Sequence, residues 1–400
     1  MKILLVNDVG QATYGAPSGT LRLRDGLRQR GHDARMFATT ARPFVKRDVI
    51  ADYQCFGTAS RLQTLVQTAN PWAFWRLRRV LKEFQPEVVH VVMFLTQLSP
   101  LILLLLKNVP SLHDIVVWRP ICPMGTKMLP DGTTCPVTAG IECYRNRCLP
   151  LHSFLPQMSE LWFYRRWRKV FDLTITISHA MRSRLMREGV EPQQVVLRTV
   201  ATRPSRPALS SPPTVAFAGR LVLEKGADVL VQAFAKVLAR IPDAQLVLAG
   251  DGPERGYLRK MIADLGIAPH VTMTGHLSRP EMERLFDTAW VQVVPSRWEE
   301  PSGDVAVEGM MRGTALVASA SGGLAEIVQE GRTGRLVPPG DVDALEAVLL
   351  QVLSNRELAE DLGRAGRDFA LSVFSQESYL DRILQLYNQL VSPKPGEESG

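Results

Sequence analysis

The run TRPSRPALSSPP, residues 202–213, marks the expected boundary between two domains. Its four prolines lack the N–H that a central strand donates, and the Pro/Ser composition is that of a linker. Before it, apolar runs that read as buried strands (residues 3–6, 88–93 and 115–118) alternate with helical patterns such as 21–30. Beyond it the alternation restarts, with strands at 214–218, 245–249, 271–274 and 291–295 and a helix at about 226–240 after the first of them. Such alternation implies two doubly wound, parallel-sheet α/β units. The expected domains are 1–205, carrying a Cys-containing insertion at about 119–150, and 206–372. A C-terminal helix at 373–392 is expected to pack back towards the first domain, and a polar tail at 393–400 to be disordered. Ligands of doubly wound sheets sit at the carboxyl ends of the strands, so two facing units would enclose a cleft lined by loops from both.

Composition sets outer limits. The chain has 400 residues, 46% hydrophobic and 22% charged, an ordinary globular balance that suits two domains. It opens on MKILLVNDVG, a strand-like run without the longer apolar core of an export signal, which points to the cytoplasm. The apolar stretch 101–106 is far shorter than the roughly 18 residues a membrane span needs. A net charge of +7 favours acidic partners, whether phosphate-bearing substrates, anionic lipid or nucleic acid. Without an export signal the five cysteines do not suggest a disulfide framework. Cys122, Cys135, Cys143 and Cys148 nevertheless cluster in one Pro/Gly/Arg-rich segment. Four thiols suit a structural zinc or iron–sulfur site, although the C-x2-C spacing is missing; reduced cysteines in a variable loop are the other reading.

Three segments carry chemistry. In SRWEEPSGDVAVEGMMRG (296–313), Pro301 keeps Glu300 in a loop while Glu308 falls in the early turns of the helix that follows. Asp304 and Glu308, four apart, share a face of that helix. Its N-terminus, with free N–H groups, suits a diphosphate, and a carboxylate one or two turns in suits ribose hydroxyls; a solvated acidic helix start is the plainer alternative. In FAGRLVLEKG (217–226), Arg220 and Lys225 follow a strand and can offset charge on a departing diphosphate, or else belong to a surface ion pair with Glu224. In the first half, the loop Gly15-Ala16-Pro17-Ser18-Gly19 follows the opening strand; the next helix is expected to start near Thr20, its hydroxyl capping, and to stop at Gly31-His32. Asp341-Val342-Asp343 looks like a metal motif, but its place after Pro338-Pro339-Gly340 makes Asp341 a helix N-cap.

With these pieces in view, the chain resembles the family-four retaining glycosyltransferases, which have the GT-B fold of two facing Rossmann-like domains. The matching stretches are GRLVLEKG, LVLAGDGPER, the Glu-x7-Glu motif, LVASASGGLAEIV, GRTGRLVPPGDVDAL and FSQESYLDRILQLY, in the family's order over most of 214–390. The first half matches through the glycine loop, RGHDA and LHD at 112–114. The resemblance implies that Arg220 and Lys225 hold the donor diphosphate and that Glu308 holds its ribose. Glu300 and the backbone from Ser302 to Val305 would lie beside the sugar, Gly15 and Gly19 would complete the donor site, and His113 would line the acceptor side. It further implies a metal-independent hexosyl transfer from a UDP- or GDP-sugar to a glycan or lipid-linked acceptor, with retained anomeric configuration. Two departures stand out: Ser302 and Gly309 replace the usual Phe and Ala, and the common Asn-Gly-Val-Asp run is absent at 199–202.

A block of interleaved aromatic and basic residues (Trp162, Arg165, Arg166, Trp167, Arg168, Lys169) suits a membrane interface or a phosphate backbone, with a core helix carrying a basic outer face as the plainer reading. Together with the family's lipid-carried substrates, it implies peripheral contact at the inner face of the cytoplasmic membrane, in polysaccharide synthesis. A sugar-nucleotide epimerase and a non-catalytic nucleotide-sugar-binding partner of another transferase are the competing readings. A nucleic-acid role accounts for the charge but not for the carboxylate pair.

Overall fold

The computed structural model describes residues 1–11, 15–41, 48–60 and 62–392. The chain forms two compact units: one of residues 1–130, 136–198 and 376 onward, the other of 131–135 and 199–375. The stretch 393–400, read above as a disordered tail, lies outside the described residues.

The first unit is built on strands β1 (Lys2–Val9), β2 (Asp33–Thr39), β3 (Tyr53–Cys55), β4 (Val88–Val91), β5 (Ser111–Ile115), β6 (Leu173–Thr176) and β7 (Gln194–Val195), in the order β3-β2-β1-β4-β5-β6-β7. The second contains β8 (Thr214–Ala218), β9 (Gln245–Ala249), β10 (Val271–Gly275), β11 (Val291–Val294), β12 (Ala315–Ser319) and β13 (Arg335–Val337), in the order β10-β9-β8-β11-β12-β13. Ladder pairings along both sheets are parallel. Helices cover parallel strands on both faces, so β8 and β12 are buried along their whole length and read as unbroken apolar runs rather than alternations. In each sheet the strand order reverses beside the first strand of the unit, between β1 and β4 and between β8 and β11. Loops diverge there and leave room for a ligand.

Three expectations need correction. The helix after β1 runs Ala16–Gln29, four residues earlier than Thr20: Gly15 takes φ 65° at its start, and Pro17 fits the first turn, where its missing N–H costs nothing. The Thr20 hydroxyl instead donates to Ala16 O (3.0 Å) and accepts from Asn7 Nδ2 (2.8 Å), tying helix to strand. The helix ends before Gly31, whose φ of 80° closes it with bonds from Gly31 N to Arg28 O and His32 N to Leu27 O. Second, the strand sought at 115–118 is β5, at Ser111–Ile115. Its polar residues, Ser111, His113 and Asp114, mask the strand signal, while the apolar run after Ile115 is buried loop. Third, the cysteines do not assemble a metal site: among the described residues no group of three or more His, Cys, Asp or Glu side chains can hold an ion. Cys135 belongs to the second unit and the other three to the first. Cys143 and Cys148 pack with Leu149, Phe154 and Leu161 as small apolar side chains.

Candidate functional site

In the second unit the loops after β8 and β11 meet at the point of strand reversal. Leu223–Lys225 forms a single 3-10 turn, and Gly226 (φ 65°) starts the next helix against the end of β11. A Cβ at Gly226 would lie 2.0 Å from Pro295 O, so only glycine lets the two loops approach this closely. Lys225 Nζ is thereby brought onto the Glu300 carboxylate, which also accepts from Ser296 Oγ at 2.7 Å. Nζ lies 5.1 Å from the centroid of the Trp298 ring as well. Glu300 is only 5% exposed. Burial pushes its pKa up, but the Lys225 charge and the hydrogen bonds from Lys225 and Ser296 outweigh that and hold it below the ordinary carboxylate range. Glu300 is therefore an ionised carboxylate at neutral pH, and Lys225 pairs with it rather than with Glu224.

Gly322 and Gly323, after β12, press on this loop from behind: Gly323 N donates to Glu300 O (2.7 Å), and a Cβ on Gly322 would meet the same oxygen at 2.3 Å. The helix Asp304–Arg312 begins at Gly303 (φ 99°), with Ser302 Oγ donating to Asp304 Oδ1 at 2.7 Å. Its N-terminus, with the positive end of the helix dipole, stands beside the Lys225–Glu300 pair. Arg220 is exposed at the end of β8. Glu308, in the second turn, is held by Arg203 Nη2 at 2.5 Å and borders a cavity of about 20 Å³ with Gln292, Glu283 and Met282. The Gly309 departure has a local cause: Gln292 Oε1 sits 2.2 Å from where a Cβ would stand, while Gln292 Nε2 donates to Val305 O at 2.9 Å.

In the first unit His113 lies in the middle of β5, 2% exposed, and stacks on Phe171 with ring centroids 4.6 Å apart. Burial, reinforced by His90 and Arg168, pushes its pKa down to about 3, so it is neutral. It borders a cavity of about 10 Å³ with Asp8, Phe94, Thr96 and Arg119. Asp8, fully buried at the end of β1, accepts from the Thr96, Gln97 and Leu98 N–H groups and from Thr96 Oγ1, at 2.7–2.9 Å. Gly19 has a packing reason, since a Cβ there would lie 1.8 Å from Arg198 Nη2; around Gly15 the space is open. In the aromatic–basic block, Trp162, Arg165, Arg166 and Lys169 are exposed. Trp167 stacks half-buried on Phe163 at 4.8 Å, and Arg168 donates to Gly189 O.

Sequence reasoning passed over Arg203, Ser296 and Asp8. Arg203 lies in a run read only as linker, where a charge among prolines was the available signal. Asp8 was signalled by an acid at the end of an otherwise apolar strand.

Two family profiles match end to end: "Glycosyl transferase 4-like domain" over residues 15–200 and "Glycosyl transferases group 1" over 201–369. The chain belongs to the group 1 glycosyltransferases. Among curated relatives of this glycosyltransferase chain, the GDP-mannose-dependent alpha-(1-6)-phosphatidylinositol monomannoside mannosyltransferase of Mycolicibacterium smegmatis is 34% identical over 187 residues, 45% of this chain and 49% of the relative. The chain spans about half the length of the curated relatives it matches. A sucrose-phosphate synthase from Thermosynechococcus elongatus has the same fold, with a TM-score of 0.72, 23% identity and coverage of 97% of this chain and 98% of that one. Anabaena HepE in complex with UDP and glucose superposes with a TM-score of 0.68 at 17% identity, covering 96% and 99% of the two chains. The fold is GT-B.

Proposed function

We propose that this chain is a retaining, metal-independent hexosyltransferase that moves a sugar from a UDP- or GDP-sugar to a hydroxyl of a glycan or lipid-linked acceptor, in cell-surface polysaccharide synthesis. The observation that carries the reading is the pair of half-buried Lys225 with buried, ionised Glu300 at the strand-reversal point of the second unit, flanked by exposed Arg220 and by a helix N-terminus. Arg220, Lys225 and the N–H groups from Ser302 to Val305 supply fixed positive charge where a diphosphate leaves, and so favour the transition state over the ground state. The bond from the anomeric carbon to the β-phosphate oxygen breaks, and the acceptor oxygen bonds to that carbon on the same face. The acceptor proton passes to the departing phosphate. The Glu300 carboxylate faces the cationic sugar, and Glu308 accepts from the ribose hydroxyls. Asp8 and the neutral His113 line the acceptor side.

Uridine, as in the HepE complex, and guanosine, as in the name of the mycolicibacterial relative, are the donor bases this reading admits. Contact with the cytoplasmic membrane surface is supported by the helix Leu151–Trp167. Its exposed Leu151, Leu155 and Trp162 form one stripe, ending in Arg165 and Arg166. Leu65 on the neighbouring helix Gln63–Thr68, and Trp72 and Trp75 on Pro71–Phe84, are also exposed beside cationic Arg78. Apolar side chains collared by arginine match an anionic bilayer. Among the described residues no helix is long and apolar enough to cross one.

The test is release of nucleoside diphosphate across uridine, guanosine and adenosine sugars, with and without bacterial lipid and with and without chelator. Expected is lipid-stimulated release with one donor, indifferent to chelator, a product of retained configuration, and a loss of at least a hundredfold in Glu300→Gln, the size of effect that follows removal of one oriented charge. Conversion of the donor to an epimeric sugar nucleotide without acceptor and without net diphosphate release would indicate epimerisation. Donor binding without release under any condition would indicate a binding partner.

A further inference from the structure

We propose that Arg203 is a positioning residue for the donor's ribose, holding one oxygen of Glu308 so that the other is presented to the ribose hydroxyls. The proposal rests on the reading of Glu308 as the ribose ligand.

Arg203 comes from the coil that leads into β8, 105 positions from Glu308 in sequence, yet its guanidinium is buried and forked between two acids. Nη2 reaches Glu308 Oε1 at 2.5 Å and Nη1 reaches Glu283 Oε1 at 3.4 Å. Its side chain is 6% exposed, whereas that of Glu308 keeps 24%, so the carboxylate is anchored from inside and open outward. A planar guanidinium carries its donors on separate, fixed nitrogens, so Nη2 pins Oε1 of Glu308 while Nη1 is held by Glu283, a division that a point-like ammonium does not reproduce. The surroundings are fixed as well. Arg312 Nη2 donates to Glu283 O at 2.8 Å, tying helix Arg279–Phe286 to helix Asp304–Arg312, and Gln292 holds the first turn of the latter through Val305 O. Only the Glu308 side chain is left to be aimed, and Arg203 aims it. Without Arg203, Glu308 loses the contact that holds Oε1 and is free to turn towards solvent, away from the geometry that accepts two hydroxyls.

The test uses the full chain and measures binding of UDP and GDP, and of their 2′,3′-dideoxy counterparts, by calorimetry. Wild type is expected to prefer the ribose form by on the order of tenfold or more, the scale of hydrogen bonds to a charged acceptor. In Arg203→Gln the ribose form is expected to weaken to the level of the dideoxy form, with dideoxy binding unchanged, so that the preference collapses towards one. Arg203→Lys, which keeps the charge but not the fork, should retain only part of the preference; it serves as the readout if Arg203→Gln does not fold. Parallel weakening of both forms, or a lower melting temperature with the preference intact, overturns the proposal and leaves Glu308 as the ribose ligand. Absence of any preference in wild type, with Glu308→Gln silent, overturns the reading of Glu308 itself.

Discussion

Glu160, inside the helix Leu151–Trp167, shows what one buried acid does to pH dependence. It is 2% exposed, and burial pushes its carboxyl up to about 8, with Arg119 and the Gln67 amide pulling the other way. The unfolded carboxyl titrates near 4.5. Between these values the folded chain keeps a proton that the unfolded chain releases, so stability is full below about 4.5 and is lost as pH rises towards 8. Glu160→Gln imitates the protonated form and can still accept from Gln67. Thermal melts from pH 5 to 9 should show the variant level with wild type at the acid end and more stable at the alkaline end. Coincident curves throughout would mean that Glu160 does not titrate in this way. His113 has the opposite sign, since its pKa falls on folding, and it takes stability away as pH drops below about 6.5. Neither effect was legible in the sequence, where a histidine at the end of a strand and a glutamate in a helix look ordinary until the aromatic box around one and the burial of the other are known.

At the scale of elements, legibility followed the polarity of each segment. The strands read at 214–218 and 245–249 are β8 and β9 residue for residue, because both are apolar and flanked by turn residues. β5 was displaced because tertiary contacts, rather than periodicity, make room for its polar side chains. The Glu-x7-Glu motif located Glu300 and Glu308, but not what holds them: Arg203 at the second and the paired glycines behind the first come from distant parts of the chain. Those glycines give a prediction. In Gly322→Ala, a residue at φ 56° would place its Cβ 2.3 Å from Glu300 O, a backbone atom that cannot swing aside. Overpacking and backbone strain of this kind cost about 1–3 kcal/mol. Since the atom displaced belongs to the Glu300 loop, transfer activity should fall by more than tenfold, out of proportion to the change in melting temperature. Gly266→Ala is the control, with a similar φ of 69° and open space around it. Equal activity losses in the two variants would refute the link between the glycine pair and Glu300.

At the scale of the whole molecule, the alternation of strands and helices on either side of residues 202–213 was enough to read two parallel-sheet units. The core of the first unit, however, is finished by the far end of the chain. The helix Gln376–Val391 buries Leu380, Ile383, Leu386 and Tyr387 against Ile3, Leu5, Leu27 and Val88. Tyr387 Oη lies 2.7 Å from His90 Nδ1 inside that core, and Asp381 pairs with Arg30 at the surface. At about 1.5–3 kcal/mol for each large apolar side chain removed from water, these four residues contribute roughly 6–12 kcal/mol, as much as the whole net stability of a typical domain. A chain ending at residue 375 should therefore lose the first unit while keeping the second, whose core contains none of these residues. Amide hydrogen exchange reads this directly: protection should vanish from β1, β2, β4 and β5 and persist in β8, β9, β11 and β12. Tyr387→Phe separates the hydrogen bond from the packing. It should weaken the first unit by only about 1–3 kcal/mol, the cost of leaving a buried ring nitrogen without its partner. If β1 and β4 stay protected in the shortened chain, the first unit holds its core without the returning helix, and the burial argument for it fails.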